Sequence, residues 1–382
     1  QYATLCRVDL DELRKRHERL DIANRIAKEQ KFQHWELEFA DVFEEKGGFD
    51  LVIGNPPWIK YKWNEMSVLS DFQPLFAIKD YSAPKIKALK SNVLEKKVNF
   101  VQYINEYTSI QGTLSFLNSP QNYSLLTGVQ TNLYKCFLPK AWEIGNNTGV
   151  SAFVHPDGVV DDSNGGRLRR EIYKRFVYHF HFINEKLLFT EVGHPEVFSL
   201  NVYANVGCDM LTMIGNLFDP KTIDQCFDDN NEYPLMGIKD DKGNWNIFGN
   251  KDRIIKIGVV ERAVFSRLYD DSNNANEARL PIIHAKQLVD VLQKMSLQKS
   301  LMSISNEFYT TQCFDETGAQ DKKVITVNPS FVQEGLGFVY NGPHIGVANP
   351  VFQTARAEVK TKGDFDRVDI TIIPDNYLQR TK

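Results

Sequence analysis

Four consecutive residues, Asn55-Pro56-Pro57-Trp58, follow the apolar run Phe49-Asp50-Leu51-Val52-Ile53-Gly54 and are of the types needed to make an aromatic amine nucleophilic. The exocyclic nitrogen of a planar base delocalises its lone pair into the ring. It attacks poorly until acceptors hold both N–H groups and favour a pyramidal geometry. Two acceptors must therefore converge on one point. Asn55 offers a side-chain amide oxygen, and the Pro56 carbonyl stays free because Pro57 has no N–H and resists regular pairing. Asn55 precedes a proline, which pushes it toward extended geometry and projects its side chain from the end of the strand. Trp58 adds an aromatic face on which a base could stack, worth roughly 1–3 kcal/mol. The alternative is an ordinary Asn/Pro turn with a buried Trp.

The elements around this clamp alternate between strand and helix character. Residues 35–39 alternate as a strand and run into Ala40-Asp41-Val42-Phe43. That places Asp41 at the carboxyl end of a strand, where open α/β sheets bind ligands; otherwise it is a helix N-cap or a solvated turn residue. Residues 133–142 read as a helix and 149–154 as a strand closing at His155-Pro156. In the next helix, 167–176, Leu168, Ile172 and Phe176 share one face, with Arg167, Arg169, Arg170, Lys174 and Arg175 elsewhere and Ser163 or Asn164 available as cap. Those cations form either a solvated face or a track for phosphates. Strands are expected at 178–183 and 197–203, with the loop 187–192 between them. His179 and His181 lie two apart on the first of these strands, and no third ligand is placed beside them, which favours core or edge histidines over a metal pair.

The 55–58 segment resembles the Asn/Asp-Pro-Pro-aromatic motif of amino-group DNA methyltransferases, the enzymes that make N6-methyladenine or N4-methylcytosine. The resemblance implies a Rossmann-like α/β methyltransferase core, S-adenosylmethionine as cofactor and double-stranded DNA as partner. It implies transfer of a methyl group to adenine N6 after the target nucleotide swings out of the duplex. Asn55, Pro56, Pro57 and Trp58 would then form the catalytic clamp, and Asp41 would accept a hydrogen bond from the cofactor's adenine. Phe189 sits where the family has an aromatic on the opposite face of the flipped base from Trp58; Phe198 is the competitor, and either could be core. Lys60 and Lys62, interleaved with Tyr61 and Trp63, and Arg169 and Arg170 are the candidate DNA contacts. A surface loop with one anchoring Trp is the other reading of 60–63.

From residue 35 to the C-terminus the chain is also similar to the large methylase polypeptides of restriction-modification and phage-defence systems, particularly the fused type IIG class. Gly342-Pro343-His344 and residues 375–382 carry that looser likeness. It implies a partial methyltransferase domain over 1–209, a mainly helical region over 210–322 with helices at 253–269 and 285–297, and the start of a β-rich target-recognition region over 323–382. The whole is thus an α/β core with its first strands missing, followed by an α+β recognition region. No glycine precedes Gly47. The glycine turn that would hold the cofactor is therefore expected outside the chain, which reads as a fragment. Gly335-Leu336-Gly337-Phe338, the other candidate turn, has flanks that read as a hairpin.

Composition excludes some classes. The 382 residues are 42% hydrophobic, enough for two or three packed units, and the formal net charge of −4 argues against a protein that coats nucleic acid by bulk charge. Cys6, Cys136, Cys208, Cys226 and Cys313 show no paired spacing, which favours a reducing, cytoplasmic setting. No stretch is long and apolar enough to span a bilayer. Three rivals stay open: an amino-group methyltransferase acting on RNA or protein glutamine, a DNA-binding specificity module on an inactive methyltransferase fold, and a bifunctional enzyme with a restriction endonuclease elsewhere in the polypeptide or complex.

Overall fold

The computed structural model describes residues 10–79, 81–240, 242–270, 274–299, 318 and 322–324, together with the backbone of 353–355 and 365–367. Two compact units result, one within Gln1–Leu217 and Ile254–Ile283, the other within Phe218–Arg253 and His284–Lys382.

The first unit is a mixed sheet with helices. Its strands are β1 (Phe49–Gly54), β2 (Gly145–His155), β3 (Phe176–Ile183), β4 (Val197–Ala204), β5 (Leu211–Leu217) and β6 (Ile255–Ile257), in the order β1-β2-β4-β3-β5-β6. β1 runs parallel to β2, and β3 to β5, while β4 is antiparallel to both β2 and β3. The carboxyl ends of β1, β2, β3 and β5 consequently share one side of the sheet. The expected α/β class is borne out, and the strands at 149–154, 178–183 and 197–203 form as read. Their apolar alternation is buried in the interior of the sheet, with Phe153, Phe182, Phe198 and Tyr203 in the core, whereas Phe176, read above as the end of a helix face, opens β3 and is buried there because the helix stops at Tyr173.

Eleven helices up to residue 173 flank these strands: α1 (Leu10–Arg16), α2 (Glu18–Gln30), α3 (Trp35–Glu38), α4 (Ala40–Lys46), α5 (Glu65–Phe72), α6 (Leu75–Ile78), α7 (Ala83–Leu94), α8 (Lys97–Leu117), α9 (Leu133–Ile144), α10 (Gly158–Asp161) and α11 (Gly166–Tyr173). The strand expected at 35–39 is instead α3 followed by α4. Trp35, Phe39 and Phe43 recur at helical spacing and all pack on Phe49, with ring centroids 5.9, 5.2 and 5.7 Å away. That period of four outweighs the local alternation of Leu37 with the glutamates. A second difference concerns β1. It lies at the sheet edge, with Leu51 56% and Ile53 71% exposed, where a buried strand was expected.

β1 is entered through Gly47, left-handed at φ 72°, and Gly48, where a Cβ would stand 2.5 Å from the Ile144 carbonyl oxygen. Only glycine tolerates that approach of two backbones. Between β1 and β2, helices α5 to α8 make a small core of their own around Leu69, Phe76 and Tyr103. Trp63 seals it, edge-on to Tyr103 and Tyr107. The anchoring reading of 60–63 thus holds for Trp63.

The boundary expected at 209 falls inside this unit, because β5, β6 and the helix Val259–Tyr269 extend the sheet side of the fold past it. The helix expected at 253–269 begins at Val259, since Ile255–Ile257 pairs with β5 as an edge strand. In the second unit, the helices Lys221–Phe227 and Gln287–Ser296 accompany turns, among them the Asp240 turn whose carboxylate accepts from Lys242 and Asn244. Among the described residues, 323–382 contributes one short antiparallel pair, Gln353–Ala355 with Phe365–Arg367. The Gly335 and Gly342 motifs lie outside the described residues, as do residues 375–382.

Candidate active site

The clamp leaves the carboxyl end of β1 and crosses toward β4. Its far end is fixed where the Leu133 N–H donates to the Ile59 carbonyl at 3.0 Å and Lys60 bridges Asn132. In between, the Trp58 indole N–H donates to the Val154 carbonyl of β2 at 3.2 Å. The ring stacks on Phe198 of β4, with centroids 5.8 Å apart and planes at 29°, and Phe198 stacks in turn on Phe182. The hydrogen bond to β2 and the stack on Phe198 together fix the plane of Trp58.

Opposite the clamp stands the loop between β3 and β4. Residues 55–59 and 188–192 line a cleft of about 570 Å³. That is within the usual range for a small-molecule site and ample for one nucleobase. Asn55 is exposed at its rim, Pro56 is buried, and Trp58 is half-buried. Among the described residues, no donor reaches the Asn55 side-chain oxygen or the Pro56 carbonyl. Both oxygens are thus unused by the protein.

Phe189 lines the cleft, but its ring touches Trp58 edge-on, with centroids 5.4 Å apart and planes at 65°. Rings in contact leave no slot between them. A base must stack on the open side of Trp58 or displace Phe189. Phe198 is 4% exposed and covered by Trp58, Phe182 and Phe189, so it backs the site rather than facing the cleft.

Beneath this end of the sheet lies a buried polar layer. His155 accepts at Nε2 from the Tyr203 hydroxyl and the Asn201 amide, both at 3.0 Å, and its Nδ1 faces the Pro156 carbonyl at 2.8 Å. Burial pushes the His155 pKa down to about 4, so the ring is neutral at physiological pH. Tyr134 stacks on it, and burial raises the phenol pKa of Tyr134. His179 donates from Nδ1 to the Asn201 amide oxygen at 2.7 Å, and His181 Nε2 lies 3.4 Å from an Asp157 oxygen. The two histidines face one way, as their spacing requires, and both are core residues. Among the described residues, no group of three metal-binding side chains forms.

Several expected site residues lie elsewhere. Asp41 is an exposed residue in the first turn of α4, so the strand-end position from which its cofactor contact was read does not exist. Arg169 is 2% exposed, which keeps it from a phosphate; its Nε donates to the Glu277 carbonyl at 2.9 Å and another guanidinium nitrogen to the Asp162 carbonyl. Arg170 is half-exposed and paired with the Glu277 carboxylate. Lys60 and Lys62 are exposed near the clamp. The α11 cations were read from a helical wheel, which cannot foresee a carbonyl-rich loop docking on one of them.

Nor do the described residues fit a complete S-adenosylmethionine pocket. The described part of the segment before β1 is helical and offers no strand followed by a glycine turn.

Residues 4–123 match the Eco57I restriction-modification methylase family. The match bears out the resemblance carried by the clamp and extends it upstream through α1 to α4. Solved structures with partial similarity include the DrdV–DNA complex, 14% identical over 46% of this chain and 15% of that one, with a TM-score of 0.25. The type IIG restriction endonuclease BpuSI is 13% identical over 57% of this chain and 21% of that one, with a TM-score of 0.27. The M protein of the type I restriction enzyme EcoKI is 14% identical over 43% and 40%, with a TM-score of 0.25. The chain thus spans about a fifth or less of DrdV and BpuSI. No curated protein matches it.

Proposed function

We propose that this chain is the base-binding part of a DNA methyltransferase of a restriction-modification system, acting on adenine N6. The observation that carries the reading is the pair of unengaged acceptors, Asn55 Oδ1 and the Pro56 carbonyl, at the rim of a base-sized cleft beside Trp58. The family match over residues 4–123 supports it.

An adenine swung out of duplex DNA would stack on Trp58 and direct its amino group at the clamp. The two oxygens accept both N–H groups and leave the nitrogen lone pair free to attack. Once methylated, the cationic nitrogen sheds a proton to water, so no side chain of shifted pKa is required. Catalysis by these residues is positioning and fixed-dipole stabilisation. S-adenosylmethionine is the donor the family implies. The described residues do not supply its binding elements. Lys60 and Lys62 would position the duplex by phosphate contacts.

The test is nucleoside mass spectrometry of DNA from cells expressing the full-length protein. N6-methyladenine should accumulate relative to an empty vector. N4-methylcytosine in its place would shift the substrate, and modified RNA or protein with unmodified DNA would reject the reading.

A further inference from the structure

We propose that Asn184 is a positioning residue for base capture, acting as a latch that gives the 184–196 loop its shape and holds Phe189 at the cleft. The inference rests on the base-clamp reading above and deepens it.

Asn184 is the first residue after β3 and is 0% exposed. Its amide nitrogen donates to the Phe189 carbonyl at 2.8 Å and the Val192 carbonyl at 2.9 Å, and its amide oxygen accepts from the Phe189 N–H at 3.1 Å. Its own N–H donates to the Glu196 carbonyl at 3.0 Å. One side chain thereby satisfies both backbone polar groups of Phe189 and closes the loop upon itself. The segment it spans is the stretch, 188–192, that forms the second wall of the cleft. Backbone bonds within the loop add to it, the Val192 N–H donating to the Phe189 carbonyl at 3.2 Å and the Glu196 N–H to the Gly193 carbonyl at 2.9 Å. Leu187 adopts a left-handed φ of 51°, and His194 Nε2 lies 3.0 Å from a Glu185 carboxylate oxygen, joining the two ends.

The latch matters on either route of base entry. Phe189 touches Trp58 edge-on, so a base on the open side of Trp58 has that ring at its margin and a base entering beside it displaces the ring, and both need the loop backbone to stay registered. A backbone pinned at both polar groups allows the side chain to rotate without the loop collapsing into the cleft. Without the pin, the wall disorders and the base loses one face. Neither Asp nor Ser can reproduce two donations and one acceptance from this position. Aspartate keeps only the acceptance from the Phe189 N–H.

The experiment compares full-length wild-type protein with Asn184→Ala, Phe189→Ala and the double variant. The readouts are fluorescence of a duplex carrying 2-aminopurine at the target position, and steady-state methylation. The expected result for Asn184→Ala is a drop in kcat of roughly 10- to 100-fold, because a misplaced contact costs orientation. The flipped-base signal should weaken while the Kd for DNA changes by less than about threefold. In the Phe189→Ala background the same substitution should add little, since both act on one wall. Full additivity would show a purely structural role and overturn the proposal, as would kcat within about twofold of wild type. If Asn184→Ala does not fold, Asn184→Asp carries the same comparison. Amide exchange of the wild type gives a variant-free check: the Phe189 N–H should be protected, and exchange at an unstructured rate contradicts the latch. Asn55→Ala, run in parallel, separates the two ideas. Unchanged methylation there sinks the clamp reading, whereas loss there with a silent Asn184→Ala sinks the latch alone.

Discussion

Asn55 contributes to the proposed chemistry only as an acceptor, and that distinguishes it from a residue kept for a turn. Asn55→Asp preserves an acceptor oxygen in the same place, so methylation should fall by about tenfold or less, against roughly 100- to 1,000-fold for Asn55→Ala. Equal losses in the two variants, measured as kcat/KM, would assign Asn55 to structure. Arg169 makes the opposite case. Its guanidinium is buried on two carbonyls, and Arg169→Ala should cost about 1–3 kcal/mol per stranded carbonyl while leaving the salt dependence of DNA binding untouched. Chemical denaturation and a salt titration separate these effects. The clamp was legible because four adjacent residues carry it. Asn184 was not legible, because its role depends on three backbone groups that only the folded loop brings together.

At the scale of elements, the helices α5 to α8 are tied by a polar triad. Glu65 of α5 accepts from Lys90 of α7 and from the Tyr103 hydroxyl of α8, and Lys90 lies 2.8 Å from that hydroxyl. The Lys90 and Tyr103 hydrogen bonds hold the Glu65 carboxyl below the usual carboxylate range. A carboxylate with a depressed folded pKa stabilises at neutral pH, and that contribution is lost as pH falls through the folded value. Because the pair is about one-third exposed, solvent screening limits Glu65→Ala to on the order of 1 kcal/mol, seen as a few degrees in Tm near neutral pH and a smaller difference in acid. His155 acts over a higher window. With its pKa lowered from 6.5 to about 4 by burial, stability should decline as pH drops from 6.5 toward 4, and His181, lowered in the same direction, adds to it. A Tm that stays flat across that range would contradict the neutral, buried state of these rings. The strands were readable from their apolar runs, but 35–39 misled, because alternation over five residues cannot be told from one helical turn until Phe43 and Phe49 supply the tertiary partner.

For the molecule as a whole, two features bear on the proposed DNA contact and on the edge of the sheet. Lys60 and Lys62 are exposed beside the clamp, and if each contacts one phosphate, replacing either by Ala should reduce the slope of log K against log salt by about 0.9. An unchanged slope would remove them from the interface. The edge strand β1 is the other: among the described residues Ile53 is 71% exposed, so Ile53→Lys should leave the buried network around His155 folded, with Tm within a degree or so of wild type as the check. Composition and charge set the broad class, yet they could not show that the sheet continues through β5 and β6 beyond residue 209, since a three-residue edge strand carries almost no pattern of its own. The central claim is that two oxygens in the β1 loop orient an amine on DNA. Its most direct test is incorporation of labelled methyl groups into DNA by the full-length protein and by Asn55→Ala, with DNA binding measured on the same samples. Abolished incorporation with binding retained is the predicted result; incorporation equal to wild type contradicts the account.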